Sequence, residues 1–274
     1  MSATPSWLCK RYAVYLLPGA LSPDPVRTLA ESWLGRSVDG RFVDPAVPSG
    51  WTREQVDAIT VDARRYGFHA TLRAPFRLAD DVTTGDLETR VSDLARHTAS
   101  TTMPRLELVL LDGFYALVPG APATGLDALA ASVVRNTDDL RAPLTEAERA
   151  RRRPERLTAA QRGLLDLWGY PYVLDEFRAH LTLTDHIAEV DRPRVGAALA
   201  EHFDGYLSGG FAGFGSRDVQ VDALCVYSEP EPGAPFVLRS VHQLEGRTTL
   251  PDRAQPARPV MAHNADRGPV GASV

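Results

Sequence analysis

The 274-residue chain is poor in cysteine: Cys9 and Cys225 stand far apart and in no metal-ligand spacing. That argues against a disulfide framework or a zinc module and agrees with a reducing compartment, the cytoplasm by default. Long apolar runs are missing too. No stretch approaches the ~18 residues that a membrane-spanning helix needs, so no membrane partner is expected. Lys10-Arg11 and the apolar residues after it begin like an export signal, but Pro18 and Gly19 interrupt the run and no small-x-small cleavage site follows. The segment reads instead as a first strand. Nor is there a nucleotide-binding glycine loop, a Walker motif or a nucleophile elbow, so the sequence calls for no cofactor. The net charge of −5 and the shortness of its basic run make nucleic acid a less expected partner than a small molecule.

What remains is an ordinary globular composition, 44% hydrophobic and 24% charged. A chain of this length can hide roughly 70–75% of its unfolded surface without a staple. Arg11 to Leu17 alternates as a strand, and Asp24 to Leu34 has the cap and early proline of a helix. Gly35 to Asp62 is a long connection with one helical turn expected after Thr52. Arg65 to Ala74 reads as a strand closed by Pro75, Thr84 to Thr98 as a helix, and Leu106 to Val118 as a hairpin turning at Asp112-Gly113. The Pro/Gly/Ala segment 119–125 marks a boundary between lobes, across which strands can be exchanged.

Helices are then expected over Leu126 to Leu140 and over Thr145 to Trp168, the latter opened by a capping box and broken at Pro154. A strand over Phe177 to Thr184, a helix over Arg192 to Tyr206 and two strands over Val219 to Leu244 complete a second strand–helix–hairpin series. Residues 1–10 form an extension, 11–246 the bilobal domain, and 247–274, almost without large apolar side chains, a disordered tail.

One short element occurs once in each half: Tyr66-Gly67-Phe68-His69-Ala70-Thr71-Leu72 and Phe177-Arg178-Ala179-His180-Leu181-Thr182-Leu183. Two chance matches to His-x-Thr-Leu among seven histidines have odds on the order of one in a thousand. Residues two apart in a strand share a face, so His69, Thr71 and Arg73 point one way and Phe68, Ala70 and Leu72 the other. Likewise Arg178, His180, Thr182 and Thr184 oppose Ala179, Leu181 and Leu183. Two such faces on one cleft suit phosphodiester hydrolysis. One imidazole takes a proton from water, the other protonates the leaving alkoxide, and hydroxyl and guanidinium groups hold the phosphoryl oxygens.

These paired motifs resemble the two-histidine (2H) phosphoesterases. With Arg73-Ala74-Pro75-Phe76 and Trp168-Gly169-Tyr170-Pro171-Tyr172-Val173 around them, they look more narrowly like the branch associated with phosphonate (carbon-phosphorus lyase) operons. The resemblance implies an α+β fold of two pseudo-symmetric lobes, each a small antiparallel sheet with outer helices, around a central cleft. It makes His69 and His180 the acid–base pair, which first serves as base being open, and Thr71 and Thr182 the phosphate ligands, with Arg73 and Arg178 beside them. A small cyclic phosphodiester, such as a ribosyl cyclic phosphate, is the implied substrate. RNA-end or 2′,5′-phosphodiester processing and a non-catalytic phosphate-binding module are the alternatives.

Arg149, Arg151, Arg152 and Arg153 read either as a clamp for a second phosphate or as a solvated helix face. Tyr66, Trp168, Tyr170 and Tyr172 read first as core and otherwise as a wall for a base or sugar. His97, His186, His202, His242 and His263 have no metal-ligand spacing, so no metal site is expected. Of these, His186 is placed to approach the cleft from the end of the second strand.

Overall fold

The computed structural model describes residues 10–209 and 218–246. The expected N-terminal extension up to residue 9 and the expected tail from 247, with Cys9 and His263, lie outside them. The first strand, β1 (Arg11–Leu16), ends at Pro18-Gly19, and Asp24 caps α1 (Pro25–Leu34), its side chain accepting from the Val26 N–H with Pro25 in the first turn. The turn expected after Thr52 is α2 (Arg53–Ala58), closed by a reciprocal Thr52/Gln55 capping box. Next come α3 (Val61–Tyr66), β2 (Ala70–Phe76), α4 (Thr84–His97) and β3 (Thr101–Met103). The hairpin β4 (Leu106–Leu111) and β5 (Phe114–Pro119) pairs Leu111 with Phe114, which leaves a two-residue turn with positive φ at Asp112 and Gly113.

The second half holds α5 (Thr124–Thr137), α6 (Glu146–Arg151), α7 (Ala159–Trp168), β6 (Leu181–Thr182), α8 (Arg192–Leu207), β7 (Val219–Val221), β8 (Ala223–Glu229) and β9 (Val237–Gln243). Pro154 separates α6 from α7 as expected, since its ring cannot continue the first helix. The strand expected over residues 219–227 is divided at Asp222, because β7 pairs with β3 in a separate two-stranded sheet.

Seven strands form one antiparallel sheet in the order β4-β5-β6-β2-β1-β8-β9. Strands of the two chain halves are interleaved: β6 extends the hairpin of the first half, and β8–β9 extend β1 and β2. The α+β class with antiparallel strands and outer helices is therefore as read from the sequence. The two expected small sheets meet at a single bridge, Ala70 opposite Leu181, and so form one sheet with a narrow waist.

Alternation along β1 assigns the two faces. Tyr12, Val14 and Leu16 join the large core with residues of α1, α4, α5 and α8, while Ala13, Tyr15 and Leu17 join a small cluster with Cys225, Tyr227 and Phe236. Helices cover the first face. The second is left open for a site.

Two expectations for the motif strands need correction. Residues 65–69 are not strand: α3 runs to Tyr66, its first N–H groups at Asp62 and Ala63 bonded to the Asp185 carboxylate, and Gly67 ends it at φ +76°. Of residues 177–184 only Leu181–Thr182 is strand. Both histidines therefore sit one residue ahead of a strand. So short a β6 is held by tertiary contacts: the Thr184 hydroxyl accepts from the Tyr115 N–H, Leu183 is fully buried, and its carbonyl accepts from the Trp33 indole at 2.9 Å. Among the described residues no helix is long and apolar enough to cross a membrane.

Trp33 is itself fully buried. Trp33→Ala is expected to lower stability by about 3–5 kcal/mol, read from the urea midpoint, through cavity formation and the orphaned Leu183 carbonyl.

Candidate active site

Directly opposed residues of an antiparallel pair share a face, and here Ala70 and Leu181, both fully buried, face the core. Continuing that register by one residue sets His69 opposite Thr182 and Thr71 opposite His180, all four on the face away from the core. Diagonal neighbours in such a ladder have backbones roughly 7–8 Å apart, within reach of long side chains toward a common guest.

A cavity of about 810 Å³ opens on this face, lined by His69, Thr71 and Thr182 among others. His180 stands at its edge rather than in its lining, its ring 5.8 Å from that of Phe114, which does line it. The same local device orients both imidazoles. Nδ1–H of His69 donates to the Gly67 carbonyl and Nδ1–H of His180 to the Arg178 carbonyl, each at 2.8 Å and two residues back. In the neutral ring this leaves Nε2 as the acceptor, and in His69 it faces the Thr71 hydroxyl at 3.2 Å.

Electrostatics separate the two rings. Burial lowers His69 to about 4, the Gly67 carbonyl opposing and the charge of His180 adding to the effect. Burial also lowers His180, against the Arg178 carbonyl and the Asp112 carboxylate, both of which favour its charged form. Tyr15, fully buried, stacks on His69 with ring centroids 3.7 Å apart and planes at 18°. Burial holds its phenol neutral.

The remaining expected site residues divide. Tyr66, Tyr170 and Arg152 line the cavity, the Arg152 guanidinium lying 4.9 Å from the centroid of the Tyr170 ring. Tyr172 is exposed and meets only the edge of Tyr170. Arg149 turns outward to an ion pair with Asp166, and Arg151 takes its place in the lining. The Arg178 side chain is exposed and outside the lining; its backbone carbonyl serves the site instead.

Arg73 is the clearest correction. The β1–β2 register shifts between Tyr15/Thr71 and Val14/Arg73, and this bulge turns Arg73 to the side of Val14. There it is 2% exposed and bonds Asp138 at 2.6 Å. His186, by contrast, does reach the cavity, its ring packed on Gly113, where a Cβ would stand 2.4 Å from Nε2.

Sequence reasoning missed three contributors. Tyr15 is one. A second is Glu229, fully buried, which takes two bonds from Arg11 and one from Arg65 and so fixes both guanidinium groups at the cavity wall. The third is Asp185, which lines the cavity and ties the start of α3 to the end of the second motif. No local signal marks any of them, because each acts through partners remote in the chain. Among the described residues no group of three or more His, Cys, Asp or Glu is arranged to hold a metal ion.

A family model described as a protein of unknown function, DUF1045, matches residues 71–237. The chain belongs to the DUF1045 family. This DUF1045 chain is similar to two proteins named ribose 1,5-bisphosphate phosphokinase PhnN. It is 36% identical over 238 residues to that of Janthinobacterium sp. (strain Marseille), covering 83% of this chain and 49% of that protein. It is 38% identical over 231 residues to that of Laribacter hongkongensis (strain HLHK9), covering 83% and 50%. The chain thus spans about half the length of the curated relatives it matches.

Among solved structures, E. coli LigT complexed with NADP+ is 13% identical at a TM-score of 0.38, and LigT complexed with 3′-AMP is 12% identical at 0.39. A phosphoesterase is 14% identical at 0.39. Each of the three covers 86% of this chain and 98% of its own. Likeness at this level leaves the chemistry to the site itself.

Gly67 carries the carbonyl that orients His69, at φ +76°, and a Cβ there would lie 2.1 Å from Val38 Cγ1. Gly67→Ala is expected to cost about 1–3 kcal/mol in backbone strain alone and to displace the imidazole, seen as an altered His69 shift in NMR spectra. An unfolded histidine takes its proton near 6.5 and folded His69 only near 4. The unfolded state therefore binds the proton first as the pH falls. The stability owed to neutral His69 is full above pH 6.5 and drains away toward pH 4, so the denaturant midpoint of the wild type should fall more steeply across that window than that of His69→Gln.

Proposed function

We propose that this chain is a phosphodiesterase that opens a small cyclic phosphodiester by general acid–base catalysis between His69 and His180. The observation that carries the reading is the doubled unit of imidazole and hydroxyl, brought to one face by the Ala70–Leu181 bridge. His69, neutral because it is buried, accepts a proton from water through Nε2 as the water oxygen forms its bond to phosphorus. The bond from phosphorus to the ring alkoxide breaks, and His180 in its protonated form gives that oxygen its proton; burial disfavours that form, and the Arg178 carbonyl and Asp112 carboxylate oppose the effect. The product is a ring-opened phosphomonoester. Thr71 and Thr182 donate to the non-bridging oxygens as charge builds there.

No step in this scheme calls on a metal ion. A cavity of about 810 Å³ suits a small molecule better than an extended strand. The curated relatives, roughly twice as long, are named for ribose 1,5-bisphosphate, which favours a ribosyl phosphate as substrate.

Turnover of nucleoside 2′,3′-cyclic phosphates and of 5-phosphoribosyl 1,2-cyclic phosphate, followed in the presence of EDTA, tests this. His69→Ala and His180→Ala are each expected to lose about 10²–10⁴ in kcat. Thr71→Val and Thr182→Val should lose about 10–100-fold, mainly in kcat, because their hydrogen bonds strengthen in the transition state. Undiminished rates in either histidine variant would end the proposal. Saturable binding without product in the wild type would make the protein a binding module. Affinity for short RNA falling steeply with salt would favour RNA-end processing.

A further inference from the structure

Six arginines touch the cavity: Arg11, Arg65, Arg77, Arg141, Arg151 and Arg152. Four are already committed to carboxylates. Arg11 and Arg65 share Glu229, Arg77 holds Glu148 through Nε and Nη2, and Arg141 bonds Asp138, which also takes Arg73. No ion pair among the described residues holds Arg151 or Arg152. Arg151 Nε donates only to its own helix, at the Ala147 carbonyl. Arg152 is half-buried against the Tyr170 ring. Two guanidinium groups of the lining are thus left without an ion-pair partner among the described residues.

The helix that delivers this charge is unusual. No residue of α6 is buried, so apolar packing does not explain its position. Polar contacts hold it: the Thr145/Glu148 capping box starts it, and Glu148 is gripped by Arg77, the residue that follows β2. The strand that presents Thr71 to the cavity therefore also fixes α6 and, through it, Arg152. A guanidinium anchored this way is pre-organised for an anion, and its planar fork matches phosphate oxygens.

We infer that the site takes a substrate with two anionic centres, a cyclic phosphodiester that also carries a phosphomonoester, and that Arg152, with Arg151 beside it, binds the second phosphate. The inference rests on the His–Thr centre being the phosphodiester site. Arg152 is a specificity residue here and takes no part in bond making or breaking.

Ribose 1,2-cyclic phosphate with and without a phosphate on its 5-carbon separates the two ends. The wild type should prefer the phosphorylated compound. Arg152→Gln should lose about 10- to 100-fold in kcat/KM on that compound, mostly through KM, and stay unchanged on the other. Arg152→Lys, which keeps charge without the fork, should fall between. Equal losses on both compounds would put Arg152 at the reacting phosphate and overturn the inference, as would a wild type indifferent to the 5-phosphate.

Calorimetry with ribose 5-phosphate on His69→Ala gives a readout independent of turnover. Binding that Arg152→Gln removes, with an unchanged far-UV spectrum, would uphold the anion subsite even if no cyclic phosphate is hydrolysed. Absence of binding, or binding that survives Arg152→Gln, would overturn it.

Discussion

One antiparallel bridge, Ala70 opposite Leu181, joins the two arms of the sheet, and the site depends on its register. Side chains alternate across a strand, so seating these two small or apolar residues in the core turns their neighbours outward on both sides at once. A slip of one residue would exchange the faces, burying imidazole and hydroxyl and exposing leucine. The cost of such a slip in lost apolar burial is what pins the histidines. The register of β6 is not secured by its own length, since it has only two strand residues. Trp33, Tyr115 and, through Asp185, the start of α3 secure it from three other parts of the chain.

Burial then has opposite consequences for the two kinds of charge in the cavity. It keeps His69 neutral and its Nε2 free to accept a proton, with Tyr15 stacked against the ring to exclude water from that side. For arginine, burial requires a partner, and Glu229 supplies one for Arg11 and Arg65. Those two are thereby made into wall rather than ligand. Arg152, by contrast, leans on an aromatic face and remains available. Chemistry and recognition thus fall to different side chains of a single cavity, linked by the run from Thr71 through Arg77 and Glu148 to α6.

Local signals were legible where a short-range cause acts. Asp24-Pro25, the Thr145/Glu148 box and Asp112-Gly113 each act within a few residues, and the elements they predict are present. Signals failed where a distant partner overrides them. The motif reads as strand from Arg65, but α3, whose first N–H groups at Asp62 and Ala63 bond the Asp185 carboxylate, runs through to Tyr66. Arg73 carries the right spacing for the site, yet a bulge against β1 sends it to Asp138. Arg149 belongs to the right cluster but points to Asp166.

The doubled His-x-Thr-Leu, by itself, determined which two side chains share a face in each half and which chemistry they suit, because period-two alternation is a property of any extended chain. Tertiary structure decided that the two halves meet at Ala70 and Leu181. It also decided that Tyr15 covers one imidazole, that Glu229 neutralises two arginines, and that Arg152 is left open to the cavity. Those outcomes depend on desolvation and on contacts between segments remote in sequence, and no local pattern of residues encodes either.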